Sequence, residues 1–153
     1  MIPKPELKKQ LLLLLSNTLD QKIAEAKAAI TSARESRDSE TKSSMGDKYE
    51  TGRAMVQIEI EKSEMQLNKA LESQTELTKI NLDAKPAAIG FGSIVCTNHE
   101  NYFIAIGVGK IYFENSAYYA ISLNSPIGRF LNGKVVGNTG IFQERSFKII
   151  DIL

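Results

Sequence analysis

Apolar residues recur at intervals of three and four through the first part of the chain: Leu12, Leu15, Leu19, Ile23, Ala26, Ile30 and Ala33. That spacing places them on one face of a helix. Pro3 and Pro5 suit its start, where a missing N–H costs no intrahelical bond. The stripe fades at Ser36, Arg37, Asp38 and Ser39. A second pattern begins near Met45 and runs through Met55, Ile60, Leu67, Leu71 and Leu77, with Glu and Gln between the anchors. Ser44 followed by Asp47 resembles a capping box with Asp as the acid, which would start the second helix. Two helices of roughly 30 residues joined by a polar turn fold back on each other, giving a hairpin about 45 Å long. No further long helix follows to complete a bundle. The hairpin is therefore expected to project from a domain, with the turn near residues 37–47 as its tip.

The pattern changes after residue 83. Gly46 and Gly52 are the only glycines before Gly90, and every Phe lies beyond residue 90. The junction through Pro86 to Gly90 reads as a linker, because Pro disfavours helix in the residue before it. Residues 93–97 and 102–106 flank the turn Asn98, His99, Glu100, Asn101, which is a hairpin signal. Residues 110–113 and 118–121 follow as a second pair, and residues 147–153 as a closing strand. Ser125 as N-cap, Pro126 at the first helical position and Gly133 past the end predict a helix of about two turns. Ile127, Phe130 and Leu131 would face the sheet. The chain is thus predicted to be α+β: residues 1–83 form an antiparallel α-helical coiled-coil hairpin, and residues 84–153 an antiparallel β-sheet domain with one short helix.

Composition narrows the partners. The 153 residues carry a net charge of +1 and 24% charged residues, which gives no electrostatic reason to expect specific DNA binding or a membrane surface. A single cysteine, Cys96, excludes an intramolecular disulfide framework and a cysteine-based zinc cluster. The leucine run at 11–15 follows Lys8 and Lys9 as a signal peptide's core would. It is short, however, and Asp20, Lys22 and Glu25 stand where a small-residue cleavage site belongs. The expected location is cytoplasmic.

The segment from Ile121 through Asn124, Ser125, Pro126, Ile127, Gly128 and Arg129 to Gly133 and Lys134 resembles the C-terminal signature of the bacterial Gre family of transcription elongation factors. Gly128 replaces the alanine usual there, and residues 147–152 resemble the family's closing strand. Ala33, Arg34 and Glu35, then acids, then Tyr49, are similar to the tip of the family's coiled coil. The resemblance covers nearly the whole chain. It implies an FKBP-like C-terminal domain that docks on RNA polymerase at the rim of the secondary channel, with Asn124, Ser125, Pro126, Ile127 and Arg129 as docking residues. It also implies a coiled coil entering that channel. Active members place tip acids beside the polymerase's catalytic magnesium and stimulate cleavage of backtracked RNA, touching the nascent RNA 3′ end indirectly. Other relatives occupy the channel and inhibit.

Such a tip supplies ligands in trans while the polymerase remains the enzyme. RNA hydrolysis benefits from a second metal ion and an oriented water, and magnesium needs only one or two carboxylates from a protein. Two pairs fit the expectation. Gly46-Asp47 followed by Glu50 reproduces the family's spacing and would share one helical face. Asp38 and Glu40 follow Ala33-Arg34-Glu35 in order, and would meet only across a bent turn. Asp47 and Glu50 are the favoured magnesium-sharing pair. Residues 34–53 hold five acids (Glu35, Asp38, Glu40, Asp47, Glu50) and five bases (Arg34, Arg37, Lys42, Lys48, Arg53). Metal capture should therefore be weaker than at an all-acidic tip, and a solvated turn with surface ion pairs is the plain alternative.

Other features carry less. His99 alone in a turn makes no metal site, and Cys96 within a strand reads as packing. Gly107 and Gly109 lack the following helix of a phosphate loop. Tyr112, Phe113, Tyr118 and Tyr119 read as cross-strand packing before a contact surface. Competing functions are a channel-binding inhibitor without cleavage activity, a peptidyl-prolyl isomerase or chaperone resting on the implied fold alone, and an adaptor binding another helix.

Overall fold

A computed structural model describes residues 3–41 and 46–153, with the side chains of residues 40–49 outside that description. The element order is α1 (Lys4–Thr41), α2 (Gly46–Leu77), β1 (Ile94–Thr97), β2 (Asn101–Ile104), β3 (Gly109–Phe113), β4 (Ser116–Ile121), α3 (Pro126–Leu131), β5 (Thr139–Phe142) and β6 (Arg145–Ile152). The protein is α+β, a long N-terminal helical hairpin followed by a six-stranded sheet and one short helix. Two compact units divide the chain: residues 17–74, most of the two long helices, and residues up to Ser16 together with Thr75–Leu153.

Within the hairpin unit, α1 buries Leu19, Ala26, Ile30 and Ala33, with Ile23 and Arg37 half-buried. The steps alternate four and three, a heptad seam. On α2 the matching line is Val56, Ile60, Ser63, Leu67, Ala70 and Gln74, also stepping four and three. Two anchors expected from the sequence do not belong to it: Met55 is 67% exposed and Leu71 40% exposed. Sequence reading chose the largest apolar residues, whereas the seam takes Val56, Ser63 and Ala70 because a 3.5-residue repeat starting from Ile60 passes through them. α1 also continues through residues 36–39, where its apolar stripe ends, with Arg37 occupying the next seam position.

The helices run antiparallel in constant register. Gln74 Nε2 donates to Asp20 Oδ1 at 3.0 Å, and Arg37 Nη1 donates to Gln57 Oε1 at 3.2 Å. The second bond lies seventeen residues further along α1 and seventeen back along α2. No stagger accumulates between them.

In the other unit the sheet order is β3-β4-β2-β1-β6-β5. All neighbours are antiparallel except β2 and β4, which run parallel. The chain leaves β2, makes the outer strand β3, and returns through β4 into the position beside β2; the expected purely antiparallel sheet is corrected at that one pair. One face carries the core of Val95, Tyr102, Ile104, Phe147 and Ile149, closed by Ile89 and by Leu131 of α3. The opposite face presents Ile94, Phe103 and Ala120 in adjacent register, all buried. Leu11, Leu15, Leu77 and Ile80 are buried in the same unit. Leu11, not Leu12, is the fully buried member of the leucine run, and Lys8 continues its line one turn earlier. Burial pushes the Lys8 ammonium pKa down.

β6 serves two partners. Its first half pairs with β5, and its second half with β1, where Cys96 faces Asp151 but Thr97 faces Ile149. Ile150 is the extra residue of a β-bulge. The bulge reverses the side-chain alternation, so Ile149 and Ile152 both reach the core face while Ile150 is exposed.

Ile89 is tied to the end of α3: its N–H donates to Lys134 O and its C=O accepts from Gly133 N–H, both at 2.8 Å. The segment read as a linker therefore ends in the core.

Candidate functional site

α3 forms as its residues dictate. Ser125 is the N-cap in extended conformation, and its Oγ accepts from Gly128 N–H at 3.1 Å. The same hydroxyl donates to Ser122 O at 2.7 Å, and Ser125 N–H donates to that carbonyl at 3.1 Å. Pro126 sits at the first helical position. Of the residues expected to dock a partner, Ser125 is committed to this cap and Ile127 packs against the core. Asn124, Pro126 and Arg129 are exposed. The surface that α3 can offer is thus a polar amide, a proline ring and a guanidinium.

Phe130 stacks with Phe142 at 5.2 Å and meets Phe147 edge-on at 5.7 Å. Lys134 Nζ lies 4.1 Å from the Phe130 ring centroid and donates to the Phe130 carbonyl. Gly140 makes room for this cluster, because a Cβ there would stand 2.9 Å from Phe130 Cζ.

A second polar group clamps the β1–β2 loop onto β6. Arg145 grips both oxygens of Glu100, at 3.0 and 2.6 Å, and Tyr102 OH donates to Glu100 Oε2 at 2.9 Å. Arg145 holds the Glu100 carboxyl down to a pKa of about 2. Burial and the neighbouring carboxylate push the Tyr102 phenol pKa up. His99 Nε2 is 2.8 Å from Ser146 O, and Asn98 exchanges backbone and side-chain bonds with Lys148. His99 is a structural residue of this clasp. Sequence reading found the turn but not the clasp, because Arg145 lies 45 residues away and nothing local announces it.

The hairpin's acids are placed as follows. Asp38 and Glu40 fall within α1; Asp47 and Glu50 fall within α2. The side chains of Glu40 and Asp47, and Ser44 of the expected capping box, lie outside the described residues. Two residues apart on a helix is a spacing that does not share a face, and three apart is one that does. Asp38 is exposed, with its Oδ1 3.8 Å from Arg37 Nε. Glu50 is exposed as well. Carrying the Arg37–Gln57 register forward puts Glu50 about six residues, roughly 9 Å, nearer the turn than Asp38. Arg34 pairs with Glu64 at 3.3 Å. Among the described residues no three His, Cys, Asp or Glu side chains gather as a metal cluster. An ion here would need ligands from elsewhere, and an exposed carboxylate or two is what a shared magnesium takes from one of its proteins.

Fold and surface together define an α+β protein with a heptad-seamed helical hairpin, exposed acids toward its turn, and a sheet domain carrying a capped helix. No protein-family model matches the chain, and no curated protein does. Among solved structures, that of the transcription factor Gfh1 is similar over 90% of this chain and 92% of its own, at 17% identity and a TM-score of 0.39. Among the described residues no helix is long and apolar enough to cross a membrane.

Proposed function

We propose that the protein acts on bacterial RNA polymerase from the secondary channel, modulating elongation and stimulating the polymerase's own cleavage of backtracked RNA. One observation carries the reading: a helical hairpin of constant register bears exposed carboxylates, Asp38 and Glu50, toward its turn. The capped helix of the second unit, with the residues 121–134 that resemble the Gre signature, supports it. Asn124, Pro126 and Arg129 are the side chains free to meet the polymerase, with Ser125 and Ile127 holding α3 in place for them.

Asp47 and Glu50 are the residues that would share a magnesium ion with the polymerase, with Asp38 and Glu40 as the other candidates. Such an ion, when bound, supplies charge stabilisation and an activated water at the scissile phosphate. The chain's own part is to carry carboxylates on a stiff support, since the heptad seam resists bending.

A second reading rests on the Arg37 guanidinium beside Asp38. A carboxylate already facing a cation is a poorer metal ligand, which suits a factor that fills the channel and inhibits. No observation favours an isomerase: the aromatic face of the sheet beneath α3 is filled by Phe130, Phe142 and Phe147.

The test is binding to core polymerase, followed by RNA cleavage in backtracked complexes. The double variant Asp47→Ala with Glu50→Ala is expected to bind as before and lose stimulated cleavage. Absence of binding by the unaltered chain overturns the proposal; binding with slowed elongation and no cleavage selects the inhibitor.

A further inference from the structure

β5 is the last strand of the sheet, and its outer edge is open in a specific way. The two-residue turn Gln143-Glu144 makes Phe142 and Arg145 the closing pair of the hairpin, and Gly140 with Phe147 is the next hydrogen-bonded pair. Ile149 N–H donates to Asn138 O at 2.9 Å, which continues the same alternation. In an antiparallel ladder the intervening residues turn their N–H and C=O the other way. Thr139 and Ile141 therefore aim four backbone groups away from β6. Among the described residues no turn or loop bonds to them.

The side chains beside that edge are apolar and exposed. Ile141 is 75% exposed, and Val135, Val136 and Ile150 are exposed as well. Gly137 N–H donates to Ile149 O, so the chain following Val136 meets β6 one residue before the bulged Ile150. Edge strands are ordinarily blunted by shortness, lysine, proline or a bulge, and of these β5 has only its four-residue length. The opposite edge, β3, carries Lys110. β5 reads Thr-Gly-Ile-Phe, with no lysine, proline or bulge on the strand itself.

Charge selects the occupant. Residues 122–150 contain four bases, Arg129, Lys134, Arg145 and Lys148, against one acid, Glu144. Arg145 is held by Glu100 and Lys134 by the Phe130 carbonyl. Lys148, directly across from Thr139, has no ion-pair partner among the described residues. A strand added beside β5 would lie two strand spacings, about 9.6 Å, from the Lys148 backbone, within joint reach of a lysine and a carboxylate side chain.

We propose that β5 is a docking edge for an extended peptide strand of a partner protein, with apolar residues against Ile141 and a carboxylate for Lys148. Main-chain bonds to Thr139 and Ile141 supply the attachment, and the side chains supply the choice. A second copy is the weaker occupant, since its β5, Thr-Gly-Ile-Phe, brings no carboxylate for Lys148. The inference stands apart from the polymerase reading and survives its failure.

The probe is an acetylated, amidated ten-residue peptide of alternating valine and threonine with a central aspartate, titrated into the full chain while backbone amides are followed by NMR. Saturable shifts at Thr139 and Ile141 are expected. A lysine in place of the aspartate should weaken binding at least about threefold. Lys148→Glu should reverse that preference, and Ile141→Lys, at an exposed position where the fold is indifferent, should remove binding. Three results overturn the inference: no shifts at millimolar peptide, equal binding by a peptide with its backbone N-methylated, or concentration-dependent dimerisation of the chain that Ile141→Lys abolishes, which assigns the edge to a second copy.

Discussion

The Ser122 carbonyl oxygen stands 2.2 Å from where a Cβ on Gly128 would lie, with the Leu123 carbonyl oxygen at 2.9 Å. The first turn of α3 is wound onto the preceding loop so closely that only glycine fits. The Ser122 carbonyl is drawn inward by both the Ser125 amide and its hydroxyl.

Gly128→Ala should therefore destabilise the sheet unit, although alanine is the better helix former by about 1 kcal/mol. Backbone oxygens cannot rotate aside as a side chain does, and overpacking of this kind costs about 1–3 kcal/mol. Urea denaturation of the variant checks the sign; a gain in stability would mean that the turn relaxes freely.

The hairpin seam makes a paired prediction. Ile60 is buried, and Met55, five residues earlier, is exposed. Ile60→Ala should cost about 2–4 kcal/mol, and Met55→Ala should stay within about 0.5 kcal/mol. Helical circular dichroism on heating separates them. Similar losses for both would move the seam back to the line of large apolar residues.

Acid should loosen the clasp on β6. The Glu100 pKa falls from an ordinary 4.5 to about 2 on folding. A depressed carboxylate pKa stabilises the folded state fully above the unfolded value and loses that contribution as pH falls through the folded one. The window is thus pH 4.5 down to about 2. Because Glu100 and Arg145 side chains are 32% and 45% exposed, the effect should be no more than about 1 kcal/mol. Glu100→Gln should flatten the pH dependence of stability across that window relative to the unaltered chain.

Lys8 is almost wholly buried in α1, and its lowered pKa reflects a charge kept from water. Lys8→Met keeps the stem's packing and removes the charge. A rise in stability of about 0.5–1 kcal/mol at neutral pH is expected. A fall would show that the ammonium makes contacts worth more than its desolvation.

Much of this architecture was legible in the sequence, for local reasons. α3 was readable because Ser125, Pro126 and Gly133 each act on the backbone beside them. The two long helices were readable from period alone, but their shared seam was not, since Ser63 and Ala70 are chosen by the partner helix. β5 was missed because its turn is Gln143-Glu144. Both residues have positive φ, 47° and 64°, as a type I′ turn requires, yet neither is the Asn or Gly that signals one. Glu114 and Asn115 do the same between β3 and β4. The parallel placement of β4 beside β2 depends on strands far apart in the chain and leaves no local mark. At the tip the sequence offers two acid pairs and favours Asp47 with Glu50 on their spacing of three; α1 carries Asp38 and Glu40, and α2 carries Asp47 and Glu50.

The matched bonds from Asp20 to Gln74 and from Arg37 to Gln57 set a rule for how the hairpin can change in reach. Lengthening one helix alone would slide every knob past its hole. Inserting seven residues in each arm would extend the rod by about 10 Å and leave the interlock intact. The length of the hairpin is adjustable only in such paired whole repeats.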